Sequence, residues 1–318
     1  AAHHSEIVLS RSETADGASN IASRFWQRLE AVLAATSLDT ILSAQIPADI
    51  QAGFDALYPD VIQPVTPPRP CPELSARPRR FWATDFDVLI TDPYAIYAKY
   101  ILQLRPLDAV AKQPDAALRG SLYHDCLADF IKLHPTGSLP ENALEELEKI
   151  ADNQIKAFSS QTQVRRFWQH RFSHIARWFI EQEQQLRLCN QHSLTETRGF
   201  MTLALEGGDI AIGAKADRLD KTADGSWTII DYKTGQPPTK SQVEKGRKTQ
   251  LLIEAFIAQQ GGFEGQKEGE AGQISRLEYW HLSGKAGSPA YINDVTPAEF
   301  SFEDYLGYLS ALLARFDN

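Results

Sequence analysis

Cysteine is scarce. Cys71, Cys126 and Cys189 are the only three in 318 residues, and no two stand in a C-x-x-C spacing, which excludes a disulfide framework and a tetrahedral zinc site. That count fits a reducing, cytoplasmic setting. No uninterrupted apolar run approaches the roughly 18 residues a membrane span needs, so a spanning role is excluded. No charged-then-apolar leader opens the chain. Methionine is rarer still, with Met201 alone, and the chain begins Ala1-Ala2-His3-His4; it reads as a fragment of something longer. Positive charge is also in deficit. Against 41 Asp and Glu stand 32 Lys and Arg, leaving a net charge of −9, which would repel nucleic acid if spread evenly. No Gly-x-x-x-x-Gly-Lys-Ser/Thr occurs, so the chain carries no ATP site of that type.

What is present is an ordinary globular composition, 43% apolar and 23% charged, long enough for about two cores. Seven of the 17 prolines fall between Pro59 and Pro78, which makes residues 59–80 an extended linker. Before it, Asn20 to Ala35 reads as a helix with Ile21, Phe25, Leu29 and Leu33 on one face. Residues 1–58 are too few for much of a core, so that face is expected to pack on something outside the fragment. After the linker, residues 81–318 read as one domain.

The first half of that domain has helical periodicity. Pro93 to Leu104 follows the cap Asp92, a second helix follows Gly120, a third covers Asn142 to Phe158, and a fourth runs from about Gln163 to Cys189, with Trp168 and Trp178 on its apolar side. From Leu194 the period falls to two. Strands are expected over Thr195–Leu205, Ile210–Leu219, Trp227–Lys233 and Ile274–Leu282, with a turn at Lys221 to Gly225. Helices are expected over Thr249–Gln260 and Phe302–Phe316. The stretch GGFEGQKEGEAGQ reads as a flexible loop. Helices followed by strands read as an α+β class.

The chemistry concentrates in G-A-K-A-D-R (Gly213 to Arg218) and D-Y-K-T-G (Asp231 to Gly235). A hairpin turning near Ala223 puts position 217 opposite about 229, so Asp231 becomes a diagonal neighbour of Asp217, about 7 to 8 Å away. Lys233, two residues on, points to the same face. Two carboxylates suit a hard cation such as Mg²⁺ or Mn²⁺, and a lysine beside them can position water or offset charge on a phosphoryl group. Solvent-exposed ion pairs would be the bland alternative. Asp231, however, follows the apolar run Trp227-Thr228-Ile229-Ile230, where an unpaired charge is costly.

Gly120-x-x-x-His124, then Glu196, G-A-K-A-D-R, D-Y-K-T-G and Gln250-Leu251-Leu252 together resemble the RecB-type branch of the PD-(D/E)XK nucleases. More narrowly, Trp82 to Leu104, Arg119 to His124 and the Gly-Gly-Phe after the Gln250 helix are similar to the C-terminal nuclease region of the AddB family, subunits of helicase-nucleases that resect double-strand breaks. The similarity covers about Phe81 to Asn318 and implies an α+β fold with an α/β core, a mixed sheet wrapped by helices. Ile7 to Leu33 is similar to the end of the helicase-like part upstream, which would make residues 1–58 its remnant. The resemblance implies metal ligation by His124, Asp217, Asp231 and the backbone carbonyl of Tyr232, with Lys233 catalytic. It gives Gln250 the task of orienting the lysine or a substrate phosphate and makes Glu196 an acidic neighbour of the metal. An imidazole among the ligands favours Mn²⁺ slightly over Mg²⁺.

Two departures stand out. Asp92-Pro93-Tyr94 occupies the place of the family's first Cys-Pro, and no cysteine follows Tyr291, so no iron–sulfur cluster is expected. Glu254 occupies the place of the usual tyrosine in Gln-x-x-x-Tyr, which unsettles that position's DNA contact.

Charge placement adds a DNA path. Gln161 to Ile180 holds four arginines, Arg165 and Arg166 among them, and no acid; Asp231 to Gln250 holds five basic residues, including Lys245, Arg247 and Lys248, against two acids. Such stretches can neutralise the phosphates of a single strand. The reading is therefore a Mg²⁺- or Mn²⁺-dependent DNA exonuclease with an AddA-like helicase partner that supplies ATP-driven unwinding. The alternative is a non-catalytic DNA-binding or scaffolding subunit on the same fold.

Overall fold

The structure is a computed structural model that describes residues 11–15, 18–38, 48–57, 66–107, 115–158, 162–266, 272–298 and 302–317. The chain divides into two compact units, 1–67 and 68–318. In the first, strands β1 (Thr14–Ala15) and β2 (Ala18–Ser19) pair antiparallel, followed by helices α1 (Arg24–Ala35) and α2 (Ala48–Leu57). Ser23 caps α1 by accepting from Trp26 N at 3.2 Å. No residue of α1 or α2 is buried. Phe25 is 85% exposed.

The second unit opens inside the proline-rich stretch. Residues 59–65 lie outside the described residues, whereas Leu74–Ala76 forms a 3-10 turn and Arg77 donates to the Phe316 carbonyl near the chain's end. Next come β3 (Arg80–Trp82), α3 (Ala83–Thr91), α4 (Pro93–Tyr100), α5 (Ala116–Leu133), α6 (Ala143–Phe158), α7 (Thr162–Leu186), β4 (Asn190–Leu203), β5 (Ile210–Thr222), β6 (Trp227–Lys233), α8 (Lys240–Glu244), α9 (Gln250–Gln259), β7 (Ile274–Lys285), β8 (Ser288–Asp294) and α10 (Phe302–Asp317). Several elements differ from expectation. β4 starts five residues early, at Asn190, and α4 stops at Tyr100. Neither β3 nor α3 was legible, because residues 80–91 are apolar without clean periodicity. β8 carries Pro289, which is tolerated because β8 pairs with β7 alone, at the sheet edge. Of the loop after α9, residues 267–271 lie outside the described residues.

The sheet runs β3-β5-β6-β7-β8, with β4 on the other edge of β5. β3 and β5 are parallel, as are β6 and β7; the remaining pairs are antiparallel. This is a mixed α+β sheet with helices on both faces. One core joins it to α3, α9 and α10, the other to α5, α6 and α7.

β5 has to serve two partners on one edge. β3 pairs with residues 211–213 and β6 with 218–221, so among the described residues 214–217 have no ladder partner there. The pleat slips at the same place. Ile212, Ala214 and Ala216 face α9, yet so does Leu219, while Arg218 turns to the opposite core. On β4 the slip falls at Glu196, whose φ is +53°, a left-handed conformation that side chains seldom adopt.

Arg218 ties the two layers together. It is fully buried; its Nε and Nη2 donate to Asp220 at 2.7 and 2.8 Å, and Nη1 donates to Glu183 of α7. Removing the guanidinium leaves two buried carboxylates with only Arg187 on Glu183 and Asn190 on Asp220 as side-chain donors. Arg218→Met is expected to lose about 3–5 kcal/mol of unfolding free energy in urea titration. The double change Arg218→Met with Asp220→Asn is expected to lose less; equal or greater loss would show that the ion cluster is not the cause.

Candidate active site

Gly120 explains why a glycine precedes His124 by one helical turn. A Cβ at Gly120 would lie 2.7 Å from Thr234 Oγ1, so only glycine lets α5 press against the end of β6. Asp115 caps that helix by accepting from Leu118 N at 2.7 Å. Four residues further along the same face, His124 Nδ1 reaches 3.3 Å from Asp217 Oδ2.

The hairpin turns one residue later than expected. Arg218 pairs with Ile230 and Leu219 with Ile229, so continuing that register puts Asp217 directly opposite Asp231 rather than diagonal to it. The ladder stops there, and Tyr232 N–H donates instead to Asp217 Oδ2 at 2.9 Å. Asp231 and Lys233 share one face, and the Tyr232 side chain turns into the α5–α7 core.

Asp231 is 1% exposed. Its Oδ1 accepts from Gln250 Nε2 at 2.7 Å and from Lys233 Nζ at 3.0 Å. Oδ2 lies 2.7 Å from Nζ but off the hydrogen-bonding direction, and is left without a hydrogen-bond donor. Gln250 therefore holds the carboxylate rather than the lysine. Its amide also donates to Glu254 Oε1 at 3.1 Å, while Glu254 Oε2 is buried with no partner. Glu254 sits in the floor of the site, not on its rim. The sequence carried a signal for it, a lone charge in the apolar helix QLLIEAFIAQ. Glu196 faces the cluster from β4 and pairs with Lys215.

Among the described residues, no hydrogen bond or ion pair joins the other proposed DNA contacts to the cluster. Arg165 and Arg166 lie half-buried and exposed near the start of α7. Lys245 and Arg247 are exposed between α8 and α9. Lys248 is engaged by Asp87 of α3, Nζ to Oδ2 at 3.0 Å.

Burial dominates the electrostatics. It raises Asp217 to about 6 against the Tyr232 N–H and Lys233, and raises Asp231 to about 6 with help from the Asp217 charge. Glu254 is pushed well above the usual carboxylate range by burial and then by those two aspartates. Burial lowers His124, leaving a neutral imidazole. For Lys233, burial works downward but the carboxylates outweigh it, and the ammonium persists.

Among the described residues, no three His, Cys, Asp or Glu side chains are preassembled around a common ion position; Lys233 and the Tyr232 N–H take up part of the carboxylates' capacity. The donor chemistry nonetheless fits a hard divalent cation. One neutral imidazole and two desolvated carboxylates converge, and the buried Asp231 Oδ2 lacks a hydrogen bond of its own.

The family model of the PD-(D/E)XK nuclease superfamily matches residues 83–318. An uncharacterized protein of Rickettsia bellii is 31% identical over 180 residues, 57% of this chain and 22% of its own length. Uncharacterized protein RC0550 of Rickettsia conorii is 31% identical over 189 residues, 58% of this chain and 23% of its own. The matched part is thus under a quarter of these relatives. The solved structure of SSO0001 aligns with 62% of this chain and 87% of its own at 10% identity and a TM-score of 0.28, too low to carry an argument. No helix among the described residues is long and apolar enough to cross a membrane.

A carboxyl whose folded pKa stands above its unfolded one penalises folding above the folded value, and the penalty disappears below the unfolded value. For Asp231 the window runs from about 6 down to 3.8. In metal-free buffer, Asp231→Asn is expected to be more stable than the parent at pH 8 by about 3 kcal/mol. Thermal melts should show the gap closing by pH 4; a gap independent of pH would refute the desolvation account.

Proposed function

The chain belongs to the PD-(D/E)XK nuclease superfamily, and on that footing we propose that it hydrolyses phosphodiester bonds of single-stranded DNA with Mg²⁺ or Mn²⁺. The observation that carries this reading is the buried Asp231 near the end of β6 with the half-buried Asp217 of β5 opposite it and the Lys233 ammonium on the face of Asp231. A structural ion pair has no need of a second desolvated carboxylate opposite the first.

His124, Asp217, Asp231 and the Tyr232 carbonyl would hold the cation. When bound, it supplies Lewis-acid polarisation of a phosphoryl oxygen. The protein's own groups do the rest. Gln250 fixes the Asp231 carboxylate by its amide, so that the oxygen facing the substrate does not have to be ordered at the moment of reaction. Lys233, still charged beside the carboxylates, orients the attacking water or offsets charge growing on the phosphoryl oxygens. Glu254, whose carboxyl is pushed up by burial and by the two aspartates, accepts from the Gln250 amide beneath Asp231. Neutral His124 offers a lone pair rather than a proton.

The resemblance of Trp82 to Leu104 and of Arg119 to His124 to AddB supports a finer reading. In it the chain trims single strands during double-strand break resection, fed by an AddA-like helicase subunit, with Arg165, Arg166, Lys245, Arg247 and Lys248 along the strand's path. The direct pairing of Lys233 with Asp231 favours a second reading, a scaffolding subunit that binds DNA without cutting it.

End-labelled single-stranded DNA separates them. With Mg²⁺ or Mn²⁺ the parent is expected to degrade it, Asp231→Ala and Lys233→Ala to fall by a factor on the order of 10² or more, and a chelator to stop all cleavage. Undiminished degradation by Asp231→Ala sinks the nuclease reading. Absence of a Mn²⁺-dependent thermal shift, together with salt-sensitive DNA binding, selects the scaffold.

A further inference from the structure

On β5, the residues facing away from α9 before the slip are Ala211, Gly213 and Lys215, about 6.7 Å per step. The cross-strand register builds a surface around them. Arg198 stands opposite Lys215, Phe200 opposite Gly213, and Trp82 of β3 opposite Gly213 on the other edge. This face leads directly to the candidate site, because Lys215 pairs with Glu196 and its charge is felt at Asp217.

The surface combines two features. Phe200 is 38% exposed and Trp82 partly so, with ring centroids 5.9 Å apart. Both rings lie over Gly213, where a Cβ would meet Phe200 Cε1 at 2.7 Å and Trp82 Cε3 at 3.3 Å. Positive charge sits with them. The Arg80 guanidinium lies 4.7 Å from the Phe200 ring centre and 5.9 Å from that of Trp82. Arg80 and Arg198 are both exposed, and neither has a carboxylate partner among the described residues. An aromatic over a strand glycine has a packing explanation. That explanation requires one ring, not two partly exposed rings with two unpaired arginines beside them. Aromatic faces interleaved with free cations suit unstacked bases joined by phosphates, whereas a duplex keeps its base faces covered.

We propose that this open face of β3, β5 and β4 is a subsite for single-stranded nucleic acid: Arg198 takes a backbone phosphate, and a base stacks on the patch of Trp82, Phe200 and Arg80. The direction of the strand toward Asp217 rests on the nuclease reading; the binding does not.

The test uses the full chain in metal-free buffer and fluorescence anisotropy with labelled (dT)12 and an abasic strand of equal length. The parent is expected to prefer (dT)12 by about tenfold. Phe200→Leu keeps Gly213 covered and should reduce the preference below threefold, and Phe200→Tyr should restore it. Arg198→Glu should weaken both strands and lower the log–log salt slope by about one. A Phe200→Leu protein with the full preference, or an Arg198→Glu protein with unchanged affinity and slope, overturns the proposal. Hydrolysis of thymidine 5′-(p-nitrophenyl phosphate) with Mn²⁺, a substrate too short to span the face, should be equal in the parent, Phe200→Leu and Arg198→Glu. If the parent fails there while the binding differences hold, the nuclease reading falls and the subsite stands.

Discussion

Desolvation of Asp231 is the constraint on which the rest of this site depends. A carboxylate that is 1% exposed at the end of β6 must be matched by donors or shed its charge. Its surroundings do some of each. The Lys233 ammonium and the Gln250 amide satisfy one oxygen, and the neighbouring Glu254 is pushed toward its neutral form by burial and the two aspartates. Each depends on a different element. Lys233 needs the strand to run on past its ladder with β5, Gln250 needs α9 to begin where it does, and His124 needs α5 to lie against Thr234 with nothing larger than a hydrogen between them. Three elements therefore converge because one buried charge has to be accommodated.

The sheet supplies the opening. A single edge of β5 serves β3 at one end and β6 at the other, and the strands part between them. The pleat slips at Asp217 and Glu196, so one strand faces α9 on both sides of the slip and also directs Arg218 into the other core. The ion cluster of Arg218, Asp220 and Glu183 then anchors α7 across the sheet. A regular strand with unbroken alternation would have put Asp217 into one core or the other. Irregular strands recur beside functional sites for this reason.

Much of the chemistry was legible in the sequence. The apolar run before Asp231 announced a buried strand end, and the two-residue step to Lys233 put both on one face. Gly120 and His124 stood in the sequence as a motif spacing alone; its physical sense lies in Thr234, which packs against the glycine. Other parts were not legible. Glu254 looked like a departure at a DNA-contacting position, yet it lies beneath Gln250. The diagonal relation of the two aspartates was an error of one residue in the turn centre, which moves a cross-strand partner by two. β3 and α3 went unseen because short buried elements carry no periodicity.

What the sequence determined by itself is the inventory and its local order: which carboxylates, which lysine, which histidine, and the class of element holding each. Local order suffices there because strand pleat and helix turn are fixed by backbone geometry within a few residues. Tertiary structure alone decided which groups meet. Phe200, Trp82 and Arg80 lie more than a hundred residues apart at the extremes and come together only through the register of β3 and β4 on β5. Register across a sheet is set by the sum of its packing on both faces, and no single stretch of chain contains that sum.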